Sequence, residues 1–217
     1  KYNAFVSTLD ERIGQVLTHL DQSGLTDNTL IIFQSDHGHS TEERTFHGGG
    51  SAGIYRGAKG CLFEGGIRVP SIITLPGIIP ENEVREQFAN GIDWFPTIAE
   101  FCGIDLPTHH IDGVSIKDVI HSKSAKSPHN TFYWQLGKGK APEWVVREGE
   151  WKLHGNPKDN SRKAPITKDD QLFLANLSMD PTEMTNLASK YPEVVKRLTG
   201  LQSDYDKSIQ QTLEAEK

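Results

Sequence analysis

The chain is poor in cysteine: 217 residues hold Cys61 and Cys102 only. Two thiols cannot form a framework of bridges, so a small disulfide scaffold is excluded. Long apolar runs are also missing. Leu30-Ile31-Ile32-Phe33 is among the longest, far short of the ~20 residues a bilayer span needs, so no transmembrane segment is expected. Positive charge is in deficit: 23 Lys+Arg stand against 29 Asp+Glu, a net charge of −6. Such a surface repels nucleic acid and anionic lipid on average, and no nucleic-acid partner is expected. An initiator Met, a signal peptide and a leader are absent as well, and we expect a chain that begins inside a larger one. What is present excludes disorder and collagen. Apolar residues make up 35% of the chain, with nine Phe, five Tyr and four Trp to fill a core. At about 150 residues per domain, the length suits one large domain, or one domain with a smaller companion.

The first twenty residues show helical periodicity. Val6, Leu9, Ile13, Val16, Leu17 and Leu20 fall on one face, and the helix should stop near Gly24. TLIIFQS then reads as a strand. An apolar run bounded by turns suggests burial on both faces, as in a parallel sheet. Residues 38–66 read as loop and hold nine of the 20 glycines. IRVPSIITLPG reads as another strand, residues 92–103 as a short helix ended by Gly103, and HHIDGVSIKDVI as a loop and small helix. Composition turns polar at 121–130, and the boundary is expected there. Beyond it come hairpins: TFYWQL, then EWVVREGEWKLHG with Glu148-Gly149 as its turn, then QLFLANL. MDPTEMTNLA should start a helical turn with Asp180 as N-cap and Pro181 first. A terminal amphipathic helix carries Val194, Leu198, Leu201, Tyr205 and Ile209 on its stripe.

Three constellations bear chemistry. Asp36 and His37 follow the first strand directly, where ligands of α/β sheets bind. Asp offers a hard oxygen suited to Ca²⁺ or Mg²⁺, and His is a softer ligand. The same residues also fit a turn in which Asp36 caps the next amides. Tyr55-Arg56-Gly57-Ala58-Lys59-Gly60 sets cations between glycines, a pattern that lets an anion approach the backbone. From Arg44 to Arg68 there are four Lys/Arg and one acid, Glu64, a local excess that favours an anionic ligand; a solvated loop accounts for the same residues. In Glu64-Gly65-Gly66-Ile67-Arg68 the glycines imply unusual backbone angles or close packing, with Glu64 and Arg68 paired to brace the loop. His39, Arg44 and His47 lie in the same loop and read equally as substrate contacts or solvated residues. Trp134, Trp144 and Trp151 read as hairpin core rather than a sugar platform.

Taken in order, NTLIIFQSDHG, RGAKG, FEGGIRVPSIITLPG, IDWFPTIAEFCG, IDGVS, REGEWKL and DPTEMTNLA resemble the C-terminal half of the type I sulfatases, in the alkaline-phosphatase-like superfamily. The resemblance implies an α/β fold: the C-terminal part of a mixed sheet flanked by helices over residues 1–125, then a small antiparallel-sheet subdomain with a C-terminal helix over 126–217. It implies a divalent cation, Ca²⁺ or Mg²⁺, on Asp36 and His37, where many relatives carry Asn in place of His. It implies that Lys59 contacts the substrate sulfate as a catalytic and substrate-binding residue.

The family nucleophile is a formylglycine made within a C/S-x-P/A-x-R signature. Neither Cys61, in CLFEG, nor Cys102, in CGIDL, stands in one, so the resemblance places the nucleophile in an N-terminal half outside this chain, which is the partner it implies. The implied activity is hydrolysis of a sulfate ester of a small molecule or glycan. The implied compartment is secreted, periplasmic or lysosomal. A phosphatase or phosphodiesterase of the same superfamily, and a non-catalytic module that binds sulfated glycans, are the alternatives.

Overall fold

The computed structural model describes the chain apart from residues 46–47, 138–140, 162–165, 169 and 216–217. His47 therefore lies outside the described residues. Two compact units form. One joins Ala4–Gln34 to Ser71–Asn130; the other joins Lys1–Asn3, Ser35–Pro70 and Thr131–Lys217.

The helix α1 (Tyr2–Gln22), which belongs to the first of these units from Ala4 onward, follows the expected periodicity and stops two residues before Gly24, whose φ of +65° a side chain would strain. None of its residues is buried, and Phe5, Val6, Leu9, Val16 and Leu17 are exposed. β1 (Ile31–Gln34) pairs with β2 (Ser71–Thr74), Ile31 opposite Thr74 and Gln34 opposite Ser71. The pairing is antiparallel, which corrects the expectation of a parallel strand buried on both faces. Apolar runs report burial but carry no information on strand direction, and here Phe33 and Ile72 remain exposed. Beyond β2, α3 (Trp94–Cys102) ends on left-handed Gly103, as its sequence requires, and α4 (Lys117–His121) is the expected small helix. Leu75, Ile79, Ile116, Val119 and Ile120 form the core of this unit, with Trp94 and Phe101 against it. Fully buried Asp93 ties the unit's loops together: its carboxylate accepts from the amides of Asn90 and Val114 and from His129 Nε2 at 2.8 Å.

The other unit is built on a four-stranded antiparallel sheet in sequence order: β3 (Thr131–Leu136), β4 (Glu143–Glu148), β5 (Trp151–Gly155) and β6 (Leu172–Asn176). Glu148 still pairs with Trp151, so the two-residue β4–β5 turn is Gly149-Glu150, one residue later than expected, with glycine taking the positive φ of +56° at its first position. Alternation along the strands gives the sheet two different faces. Val146, Leu153 and Leu174 point to one side, where Val194 and Leu198 of α5 (Pro192–Ala215) cover them. Trp144 and Trp151 pack against the same cluster, so both are core, and Tyr133 stacks on Tyr205 at 4.2 Å.

Lys152, His154 and Phe173 face the other way. There Phe63, Cys61 and Ala175 close a second cluster. MDPTEMTNLA forms no helix. Asp180 instead accepts from the amides of Thr182, Met184 and Thr185, and Glu183 turns the chain at φ +53°. The N-cap chemistry expected of Asp180 is present, but it serves a turn.

Candidate functional site

Directly after β1 the chain leaves the pleat at Ser35-Asp36-His37-Gly38. Ser35 donates its hydroxyl to the carbonyl of His37 at 3.0 Å and closes the turn. Gly38 donates its amide to Gly66 at 2.9 Å. A side chain at 38 would stand 1.9 Å from the Gly65 carbonyl, so this approach of two backbones is open to glycine alone. Gly65 and Gly66 lie in the one-turn helix α2 (Glu64–Ile67), packed on Arg56, Gly57, Ala58 and Cys61 in the same way. Neither takes a positive φ, so close packing rather than backbone angle explains the pair.

The turn lines a cleft of about 650 Å³ with Tyr2, His39, Tyr55 and Arg68 among its walls. In it, Asp36 Oδ2 and His37 Nε2 lie 2.9 Å apart. His37 Nδ1 is 2.9 Å from the Gly38 carbonyl. A carbonyl only accepts, so Nδ1 carries the hydrogen. Nε2 then meets the carboxylate either as a second N–H or as a lone pair, and a lone pair beside a carboxylate calls for a cation between them. A backbone carbonyl that fixes the far nitrogen is also how metal-binding imidazoles are held. The separation suits two adjacent ligands of one ion, which lie about 3 Å apart when each bond is about 2.1–2.4 Å. No backbone amide among the described residues donates to Asp36. The donor set and spacing therefore fit a hard divalent cation, but in part: no group of three His, Cys, Asp or Glu gathers among the described residues.

Lys59 is not among the residues that line this cleft. Its amide donates to the His39 carbonyl at 2.9 Å, and its ammonium lies 3.7 Å from Glu42. Glu42 is also held by Arg44, whose hydrogen bond, ahead of the Lys59 charge, keeps that carboxyl below its ordinary range. His39 lines the cleft; Arg44 is exposed.

Beneath the loop lies a charge cluster that sequence reasoning missed. The brace expected between Glu64 and Arg68 is loose, 3.7 Å with Arg68 half exposed. Glu64 is held instead by Lys152, which is fully buried and 2.9 Å from both Glu64 and Glu183. Glu183 accepts the Glu64 amide at 2.6 Å and pairs with His154 at 2.9 Å. Burial alone would raise the Glu183 carboxyl, but the Lys152 charge and the His154 hydrogen bond override it and bring it down to about 2. Burial pushes the His154 imidazole below its ordinary value and keeps it neutral. Burial opposes charge on Lys152 too, yet the two carboxylates raise it.

Arg56 is 1% exposed, stacks on Phe63 at 4.1 Å, and donates to Asp159 and to the Glu183 carbonyl, each at 2.8 Å. In the sequence Lys152 and Glu183 look like ordinary solvated residues, while the glycine-flanked Arg56 reads as an anion contact; the structure buries it instead on Asp159. The readable signal was β5, where Lys152 and His154 alternate with Trp151 and Leu153. Cys61 is buried with its thiol pushed up by burial, while Cys102 is exposed. Among the described residues, no helix is long and apolar enough to cross a membrane.

Known proteins show the same layout. The family described as Sulfatase matches residues 1–104, and that described as N-sulphoglucosamine sulphohydrolase, C-terminal, matches residues 53–208. Steryl-sulfatase of Rattus norvegicus is 43% identical over 61% of this chain and 24% of its own length. Arylsulfatase A of Bos taurus is 32% identical over 93% of this chain and 43% of its own. A solved structure described as in complex with its substrate, D-glucosamine-2-N,6-O-disulfate, superposes with a TM-score of 0.66 at 25% identity, covering 93% of this chain and 39% of that one. The chain spans less than half the length of these relatives. Nearly three quarters of it falls within one family match, and its fold superposes on that solved structure over 93% of its length: the chain belongs to the sulfatase family.

Proposed function

We propose that this chain is the C-terminal portion of a sulfuric ester hydrolase that cleaves a sulfate ester. The observation that carries the reading is the Asp36–His37 pair, 2.9 Å apart in an open cleft, a spacing that suits neighbouring ligands of one cation. Asp36 Oδ2 and His37 Nε2 would hold Ca²⁺ or Mg²⁺, and such an ion supplies Lewis-acid polarisation of sulfuryl oxygens. Gly38 keeps the imidazole in the tautomer that frees Nε2 for this. Lys59, a compact point charge, would steady the sulfuryl oxygens as charge shifts onto them. Glu42 holds that ammonium at rest and would release it to a stronger anion.

The nucleophile, a formylglycine, is placed in the part of the family's length that this chain does not span. Burial of Cys61 and the sequence around Cys102 support that placement. The division of residues 1–125 into the catalytic domain and 126–217 into a C-terminal subdomain belongs to the same reading. The glucosamine disulfate bound by one structural relative supports a sulfated carbohydrate as substrate. Likeness to the family supports a secreted, periplasmic or lysosomal location.

The test is sulfate release by the whole protein from a sulfate ester, with a phosphate monoester beside it. Sulfate release that Lys59→Ala lowers by orders of magnitude supports the reading. Turnover of the phosphate ester alone would make the protein a phosphatase, and binding of a sulfated glycan without turnover would make it a binding module.

A further inference from the structure

The geometry points to Asn160 as a positioning residue that sets the pose of Lys59. The inference rests on the role given to Lys59 above. Lys59 and Ala58 form a dipeptide between two glycines, Gly57 at φ +90° and Gly60 at φ +88°. Both joints are soft, because glycine has no side chain to restrict them. The dipeptide is nonetheless held, from a loop about a hundred residues further along the chain. Asn160 Oδ1 accepts the Ala58 amide at 3.0 Å, while its Nδ2 donates to the Lys59 carbonyl at 2.6 Å. One side-chain amide thus grips the dipeptide by its first N–H and its last C=O, as a neighbouring strand would.

Asp159 beside it takes the Arg56 guanidinium at 2.8 Å, and is itself fixed by the amide and hydroxyl of Ser161 at 2.8 and 2.6 Å. The grip is therefore anchored at both ends. Ala58 is fully buried, so its peptide plane cannot swing without breaking the packing. The plane before Lys59 is held by its own amide on the His39 carbonyl at 2.9 Å and the plane after it by Asn160, so the direction in which its Cα presents the side chain is fixed too. Without Asn160, Gly60 is free to turn, and the ammonium spends less time where a sulfuryl oxygen would meet it. A misplacement of about 1 Å in such a group can cost about 10²-fold in rate.

The experiment measures kcat and KM for 4-nitrophenyl sulfate with the whole protein, for wild type, Asn160→Ala, Lys59→Ala and the double variant, beside their melting temperatures. Asn160→Ala is expected to lose about 10²-fold in kcat/KM, mostly in kcat, with the protein still folded at the assay temperature and its melting lowered by only several degrees for the lost acceptor of the Ala58 amide. In the Lys59→Ala background the same change is expected to cost less than about twofold, because a residue that acts through Lys59 has nothing left to act on. Asn160→Asp keeps the volume and the acceptor but not the donor, and is expected to lose at least about tenfold. A full additional loss in the double variant overturns the inference, as does activity in Asn160→Ala within about twofold of wild type. Unfolding of both Asn160 variants at the assay temperature overturns it as well, since the role is then structural. Activity retained by Lys59→Ala removes the reading of Lys59 itself, and the role of Asn160 falls with it.

Discussion

Replacing Lys152 by Met tests the buried cluster most sharply. The ammonium is fully buried and 2.9 Å from each of two carboxylates, themselves 4% and 0% exposed. Met fills a similar volume but leaves Glu64 and Glu183 facing each other without a cation. Removing one partner from a buried ion pair costs about 3–5 kcal/mol. The expected result is a fall of that size in unfolding free energy at pH 7, read from urea midpoints. The pH dependence adds a second check. Glu183 is depressed from 4.5 to about 2, so its contribution is complete above pH 4.5 and fades as pH falls through about 2. The depression is worth roughly 3 kcal/mol. Lys152→Met removes its chief cause, so the gap between wild type and variant should narrow from pH 5 toward pH 2. A loss under about 1 kcal/mol at pH 7, or a gap that stays constant down to pH 2.5, would refute the reasoning.

Other expectations follow from the same contacts. Gly65→Ala places a methyl 2.4 Å from the Gly57 carbonyl and 2.6 Å from that of Arg56; thermal melting should show a loss of about 1–3 kcal/mol or more. Asp36→Ala should weaken Ca²⁺ binding by the whole protein in calorimetry, and equal affinity would remove Asp36 from the proposed site. A thiol reagent on the native protein should label Cys102 within minutes and leave Cys61 unreacted until denaturant is added. Mass spectrometry of the digest distinguishes the two.

The helices α1, α3, α4 and α5 and the C-terminal sheet were legible in the sequence, the long ones because their periodicity is one-sided; one-turn α2 was not, and the helical turn expected after Asp180 does not form. The stripe of α5 and the alternation of β4 and β5 each name the face that is covered. The direction of β1 was not legible: its partner lies about 40 residues on, past Pro70, and an apolar run gives no pairing. Asp36, His37 and Lys59 stood out as chemistry-bearing residues flanked by glycine. Lys152 and Glu183 did not, and Arg56 read as part of an anion-binding loop rather than as the buried partner of Asp159, because a charge in sequence reads as accessible unless its partner is known, and each partner lies far along the chain. His154 had no ligand spacing and gained its place only through Glu183 and the stacked Phe63, 4.4 Å away.

That separation has a consequence for how the chain acquires its structure. Arg56 meets Asp159 across 103 residues, and Glu64 meets Glu183 across 119. Closing loops of that size precedes any gain from the contacts they bring, and such closures are slow. At about 5–20 residues per second, a ribosome needs about 6–24 seconds to make the stretch between Glu64 and Glu183. Early in that interval the segment from Arg56 to Gly66 has none of its distant partners; Lys152, Asp159 and Asn160 follow, and Glu183 comes last, while residues 71–130 can already collapse on their own core. The glycine-rich loop is thus expected to order last, and a nascent chain released before residue 159 would hold Lys59 without Asn160 and Arg56 without Asp159.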